Sequence, residues 1–220
     1  GHGHSAPLPA FTLDAVVAAL GATLDALDDA AEAAGGAEGC PSAPAPVTLV
    51  GWSLGAAVAM AYARAHPDRV SRLVLVGASP RFVAGADWPH AMDAGTLARF
   101  GDELAVSWRH TLQRFLALQV HGSDHGRAAL HALRHELFAR GAPEPAVLRD
   151  ALGLLAGLDL RPEVPAISAS ALVVGGGRDT LTPPGAGRWL AATLPHASGV
   201  EIASAAHVPF LSPPEEFHAA

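Results

Sequence analysis

The passage from Val47-Thr48-Leu49-Val50 into Gly51-Trp52-Ser53-Leu54-Gly55, and on through Ala56, Ala57, Ala59, Ala61 and Ala63, constrains this chain more than any other. The apolar run reads as a strand, and the small residues after it read as a helix able to lie close on a sheet. A serine on the sharp turn between them sits in strained backbone geometry. The positions two before and two after it must then lack bulk, and Gly51 and Gly55 supply that. The helix N-terminus points toward Ser53, where free N–H groups can meet negative charge. Leu73-Val74-Leu75-Val76 forms a second strand one helix later, which makes a βαβ unit and a parallel pairing.

A serine hydroxyl is a weak nucleophile at neutral pH, so this turn needs a histidine base oriented by a carboxylate, in the chain order Ser, Asp or Glu, His. Leu172-Val173-Val174 opens through Gly175-Gly176-Gly177 onto Arg178-Asp179, and Thr182-Pro183-Pro184 closes that loop. Val200-Glu201-Ile202 is a short strand, and Ala205-Ala206-His207-Val208-Pro209-Phe210 follows it. Among twelve histidines, most are expected to be solvated, but His207 follows a strand late in the chain. Asp179 has a competing reading as a turn residue or an N-cap for the helix around Arg188-Trp189-Leu190. The implied chemistry is acyl transfer to water: Ser53 attacks an ester carbonyl, His207 carries the proton and Asp179 holds the imidazole tautomer. The backbone N–H of Leu54 is the expected oxyanion donor.

Thr12-Leu13-Asp14 opens a helix whose apolar positions Val16, Val17, Leu20, Leu24 and Leu27 recur at helical spacing; it ends at Gly35-Gly36 and packs on the sheet. Ala37 to Pro46 reads as a loop. From Gly77 to Leu172 the gap is too long for one crossover, so an inserted helical cap is expected. The organisation is residues 1–80 as first core part, 81–158 as lid and 159–220 as second core part. In the lid, Leu97, Phe100, Leu104 and Trp108 share one face, Leu112, Phe115 and Leu116 continue it, and Leu130, Leu133 and Leu137 make a second stripe. Most of these residues bury the cap against itself or the sheet. Phe115, Leu118, Trp88 and Trp108 remain candidates to face an acyl chain across the cleft. His110 with Arg114, and Arg127 with His131 and Arg134, form two basic helix faces. They suit an acidic partner or are plain solvated surface, since 81–150 carries as many acids as arginines.

The chain has 220 residues, 50% of them hydrophobic and 16% charged, and a net charge of −7, which excludes disorder and makes nucleic acid an unsuitable partner. No run approaches the roughly 20 apolar residues of a membrane span. The single Cys40 favours a reducing cytoplasm, and no signal core stands at the N-terminus. The acids Asp14, Asp25, Asp28, Asp29, Glu32 and Glu38 precede any basic residue and read as a solvated helix face. Gly1-His2-Gly3-His4 lacks a completing carboxylate or cysteine, so a turn is preferred to a metal site there, and no metal or cofactor is expected.

Gly51-Trp52-Ser53-Leu54-Gly55, His66-Pro67-Asp68-Arg69-Val70, Leu73-Val74-Leu75-Val76, Phe115-Leu116-Ala117-Leu118-Gln119, Asp159-Leu160-Arg161 and Ala206-His207-Val208-Pro209-Phe210 together resemble the pimeloyl-acyl-carrier-protein methyl ester esterases of biotin synthesis, within the α/β-hydrolase superfamily. His-Pro-x-Arg-Val is widespread there; Phe-Leu-Ala-Leu-Gln and the spacings are narrower. The resemblance implies an α/β-hydrolase fold, a mostly parallel sheet with helices on both faces and an inserted helical lid. It implies Ser53, Asp179 and His207 as the triad, Leu54 as an oxyanion contributor beside Trp52, and an acyl pocket lined by Phe115, Leu116, Ala117, Leu118 and Gln119. Its partner would be acyl-carrier protein bearing a pimeloyl methyl ester, touched by Arg114 and Arg127, with the enzyme acting as a monomer.

Family members also carry an early His-Gly-Trp segment supplying a second oxyanion donor, and a final helix. Here Gly1 to Ser5 resembles a turn after the fourth strand and the chain stops at Phe217-His218-Ala219-Ala220, so the fold is expected to be incomplete at both ends. The alternatives are a general short-chain carboxylesterase with the same triad, or an inactive remnant of the fold.

Overall fold

Three segments rich in valine and leucine and a fourth, more polar one make one parallel sheet in the computed structural model, which describes residues 5–35, 44–124, 126–139, 144–212 and 214–219. The expected turn at Gly1 to His4, the helix end at Gly36, Cys40 and most of the 37–46 loop lie outside those residues. The strands are β1 (Val47–Trp52), β2 (Val70–Val76), β3 (Ser170–Gly176) and β4 (Ala197–Ile202), adjacent in chain order. β1 runs two residues past the expected Val50 because its ladder with β2 continues to the pair Trp52 and Val76. β2 and β4 begin three residues earlier than the sequence suggested, at Val70 and Ala197. Parallel neighbours require crossovers. Helix α2 (Leu54–Ala65) joins β1 to β2, and α6 (Pro184–Thr193) joins β3 to β4.

Alternation along the strands separates two apolar layers. Leu73, Leu75, Ala171 and Val173 face Ala56, Ala59, Met60 and Leu190 of α2 and α6, while Val76, Val174 and Ile202 face Trp52, Phe210 and Phe217. Phe217 belongs to the short helix α7 (Pro214–His218). Helix α1 (Leu13–Gly35) packs chiefly on α2, and its Leu13, Val17, Leu20 and Leu24 join the same apolar layer as Val47 and Leu49 of β1. Where α1 meets α2, Gly21 lies against the Tyr62 ring. The α1 stripe ends at Leu24; Leu27 is exposed. β1 has a sheet neighbour on one side only among the described residues, and its Val50 is 72% exposed.

Between β2 and β3 stand α3 (Ala94–Gln119), α4 (Gly126–Ala139) and α5 (Pro145–Gly157). The stems of this insertion meet where Arg81 bridges Asp159 and the Leu160 N–H donates to Pro80 O at 2.8 Å. Asp93 caps α3 by accepting from the Thr96 N–H. The expected continuous face from Leu97 to Trp108 is broken: Leu97, Phe100 and Leu104 are buried, but Ser107 leaves helical geometry (φ −149°, ψ 73°) and kinks α3. Past the kink, Trp108 is half-buried with the Arg109 guanidinium 4.6 Å from its ring centre. Trp88 also departs from expectation. Its indole N–H donates to Arg81 O and its ring packs edge-on against Trp189 of α6, so it is buried packing under the stems and not lid surface.

Candidate active site

Ser53 closes β1 and precedes α2 with φ 54° and ψ −119°, the only non-glycine residue at positive φ among those described. Such a conformation costs on the order of 1–3 kcal/mol and persists only where its surroundings over-determine it. Here the Ser53 N–H donates to Val76 O at 3.0 Å, and Ser53 O accepts from the Ala56 and Ala57 N–H groups. A Cβ at Gly51 would stand 2.6 Å from Gly55 O and from Ala56 Cα, so that glycine is required. Gly55 is different. A Cβ there would meet nothing within 4 Å, because the position points outward from the first turn of α2. Leu54 begins α2, where a backbone N–H has no acceptor within the helix.

β3 ends in glycines so that another loop can close over it. A Cβ at Gly176 would lie 2.0 Å from Ala206 O. The loop then turns: Gly177 and Arg178 donate their N–H groups to Ile202 O and Ala205 O. Asp179, buried, accepts through Oδ1 from the N–H groups of Leu181 (2.8 Å) and Thr182 (3.0 Å). Its Oδ2 lies 2.7 Å from Thr182 Oγ1 and 2.7 Å from His207 Nδ1. The turn reading and the acid reading of Asp179 are thus one arrangement. The N-cap reading is not realised, since Pro183 holds that place for α6.

His207 is 1% exposed. Its N–H donates to Gln119 O at 3.0 Å and its carbonyl accepts from the Trp52 indole at 2.8 Å. Trp52 also lies against the His207 ring, with centroids 5.6 Å apart, and edge-on to Phe210. Gly77, at φ +52°, brings its backbone so near the imidazole that a Cβ would stand 3.0 Å from Nδ1. With Nδ1 on a carboxylate, that nitrogen carries the proton and Nε2 is left as acceptor. The structure therefore joins Asp179 to His207 directly. Ser53 reaches the same end of the sheet through Val76 and Gly77; its hydroxyl is not hydrogen-bonded to His207 here.

The expected pocket residues lie on the last turns of α3. Phe115 and Leu118 pack with Phe82, Met92, Leu97 and Leu181, the last of which adjoins the Asp179 turn. Leu116 is buried, Ala117 half-buried, and the buried Gln119 leaves its Oε1 without a hydrogen-bond partner. Arg114 is half-exposed, pairs with Glu103 across the kink and lies over the Phe100 ring. Arg127 is exposed on α4, beside an open groove of about 680 Å³ that Ser123, Asp124 and His131 also line. Among the described residues no group of three or more His, Cys, Asp or Glu is placed to hold a metal ion. Three residues of this corner escaped sequence reasoning. Gly77 is a lone glycine after a strand, Thr182 looked like loop closure, and Arg178 looked like turn chemistry although it binds Gly122 O (2.8 Å) and Asp124 (2.7 Å). Only the Asp-x-x-Thr spacing carried any signal.

Parallel strands that bring a serine, a carboxylate and an imidazole to one end of the sheet, under helices inserted between two of those strands, define the lidded α/β-hydrolases. The alpha/beta hydrolase fold family matches residues 42–214. An esterase from Exiguobacterium antarcticum superposes with a TM-score of 0.82 at 19% identity, covering 99% of this chain and 76% of that one. A bromoperoxidase from Bacillus anthracis gives 0.84 at 20%, covering 100% and 76%. The pimeloyl-[acyl-carrier protein] methyl ester esterase of Chromobacterium violaceum is 42% identical over 217 residues, 99% of this chain and 77% of the relative. The protein of that name from Xanthomonas oryzae is 42% identical over 170 residues, 77% and 67% respectively. The chain belongs to the alpha/beta hydrolase fold family and, within it, to the family of the pimeloyl-[acyl-carrier protein] methyl ester esterases.

Proposed function

We propose that this protein hydrolyses the methyl ester of a pimeloyl group carried on acyl-carrier protein, with Ser53, His207 and Asp179 as its triad. The observation that carries the reading is the buried Asp179–His207 pair, 2.7 Å apart, at the same sheet end as a serine at positive φ, in a chain 42% identical to an esterase of that name. Ser53 Oγ attacks the ester carbonyl while His207 Nε2 takes its proton, and Asp179 holds the opposite ring nitrogen. The Leu54 N–H meets the oxyanion. Collapse returns the proton to the departing methanol and leaves an acyl-serine. Water, deprotonated by His207, then releases the carboxylate and frees Ser53. No redox partner enters, because each step moves only a proton and an acyl group.

Phe115, Leu116, Ala117, Leu118 and Gln119 line the acyl channel in this reading, and Arg114 and Arg127 meet the acidic carrier as a monomeric enzyme docks. Both arginines are exposed on the lid, and charge steering of this kind acts chiefly on the association rate. A cytoplasmic setting agrees with the single cysteine, and no described helix is long and apolar enough to cross a membrane. The test is methanol release from carrier-bound pimeloyl methyl ester compared with p-nitrophenyl acetate. Wild type is expected to cleave both, and Ser53→Ala neither. Equal turnover by Ser53→Ala overturns the triad. Cleavage of p-nitrophenyl acetate alone replaces the carrier reading with a general carboxylesterase.

A further inference from the structure

The Asp179 side chain is 0% exposed and offers roughly four lone-pair sites, and four donors fill them. Two are backbone N–H groups on Oδ1. The other two, the Thr182 hydroxyl and His207 Nδ1, converge on Oδ2, each at 2.7 Å. Thr182 Oγ1 also stands 3.1 Å from Gly77 O and 3.2 Å from His207 Nδ1, and the residue is 6% exposed. A hydroxyl has one proton. If that proton went to Gly77 O, two unprotonated oxygens would face each other at 2.7 Å inside the protein, one of them charged. The proton therefore lies on the line to Asp179 Oδ2, and Gly77 O is a secondary contact.

We infer that Thr182 is a positioning residue of the esterase site, whose hydroxyl fixes the Asp179 carboxylate so that Oδ2 meets His207 Nδ1. The inference rests on the triad reading above. Three of the four donors to Asp179 belong to Leu181 and Thr182, so the carboxylate is gripped by its own turn on three sides and presents its remaining acceptor direction to the imidazole. Without the hydroxyl, Oδ2 keeps only the histidine, and rotation of the carboxylate about the bond to its β-carbon is opposed only by the two N–H groups on Oδ1. The imidazole then faces a less firmly aligned acceptor while the Ser53 elbow, the lid and the ester channel stay as they were. The loss should fall on kcat and spare KM.

Thr182→Val, Thr182→Ala and Thr182→Ser separate the hydroxyl from its packing. With p-nitrophenyl acetate, kcat is expected to fall about tenfold in both the Val and Ala variants, with KM within about twofold of wild type. Thr182→Ser is expected to restore kcat to within about twofold. The low-field Nδ1 proton resonance of His207, read by NMR without any turnover, should move or broaden in Val and Ala and return in Ser. Wild-type kcat and an unmoved resonance in Thr182→Val overturn the inference, as does a loss in Ala that the isosteric Val repairs, since packing would then explain it. A Ser53→Ala control that is as active as wild type condemns the triad instead, and the resonance still reports on Thr182 by itself.

Discussion

Two hydrogen-bonded clusters built on aspartates in this molecule have nearly the same distances and opposite surroundings. At the sheet end, His207 Nδ1 and Asp179 Oδ2 are 2.7 Å apart with side chains 1% and 0% exposed. Under the lid stems, Arg161 Nη2 is 2.7 Å from Asp159 and 2.8 Å from Asp87, but those side chains are 20%, 35% and 66% exposed. Water competes for the second cluster, so its pairs contribute little, whereas the first must satisfy every polar atom internally or be destabilising. Distance alone does not rank the two. Burial does, and it also determines the purpose each can serve. The stem cluster ties Arg81, Asp87, Asp159 and Arg161 together around Trp88, which fixes where the insertion leaves the sheet. The buried pair has spent its hydrogen bonds on holding one imidazole.

The sharpest way to break this contrast is Asp179→Asn. All four contacts at this side chain are donors, so an amide nitrogen in place of an oxygen faces a donor and the histidine tautomer is no longer held. Turnover of p-nitrophenyl acetate should fall by about 10³–10⁴-fold with the circular dichroism spectrum retained. Gly77→Ala comes next. It places a Cβ 3.0 Å from His207 Nδ1 at a φ of +52°, so it should lower stability by about 1–2 kcal/mol in a urea titration and reduce kcat about tenfold.

Asp159→Asn probes the exposed cluster. It should leave kcat within about twofold and lower Tm by no more than about 2–4 °C. A larger drop would mean that the stem cluster is as consequential as the buried pair. The smallest effect is in pH. The Arg161 hydrogen bonds hold Asp87 and Asp159 below the usual carboxylate range, and the Thr96 backbone N–H does the same for Asp93. A carboxyl lowered in the folded state takes up its proton first in the unfolded chain. Its contribution is therefore present above the ordinary carboxylate range near pH 4 and is lost as pH falls through the folded value. Tm measured from pH 6 to 3 should decline below about pH 4 in wild type and decline less in Asp159→Asn. Parallel curves would show that the stem acids do not report on folding.

Much of the corner was legible because its chemistry is local. The strand before Ser53, the glycine two residues earlier and the small residues of α2 each follow from what a tight strand-to-helix turn requires. Asp179 and His207 stood out because each follows a strand, and chain order linked them. Gly55 shows the limit of the same reasoning: the motif names two glycines, yet the structure requires bulk to be absent only at Gly51. The lid was the weaker reading. Its apolar stripe predicts a helix, but the period cannot reveal the break at Ser107, and Trp88 proved to be anchored on Trp189, a residue distant in sequence.

Sequence alone determined the parallel α/β sheet and the strand-to-helix turn at Ser53, and it singled out Asp179 and His207, since these depend on residue type, spacing and order. Tertiary structure alone decided that Thr182 and His207 share one carboxylate oxygen, that Gly77 lies against the imidazole, and that Gln119 holds the histidine loop by its carbonyl. Those contacts join segments far apart in the chain. No local propensity encodes them, because they arise only when packed layers bring distant backbone and side-chain atoms within hydrogen-bonding reach.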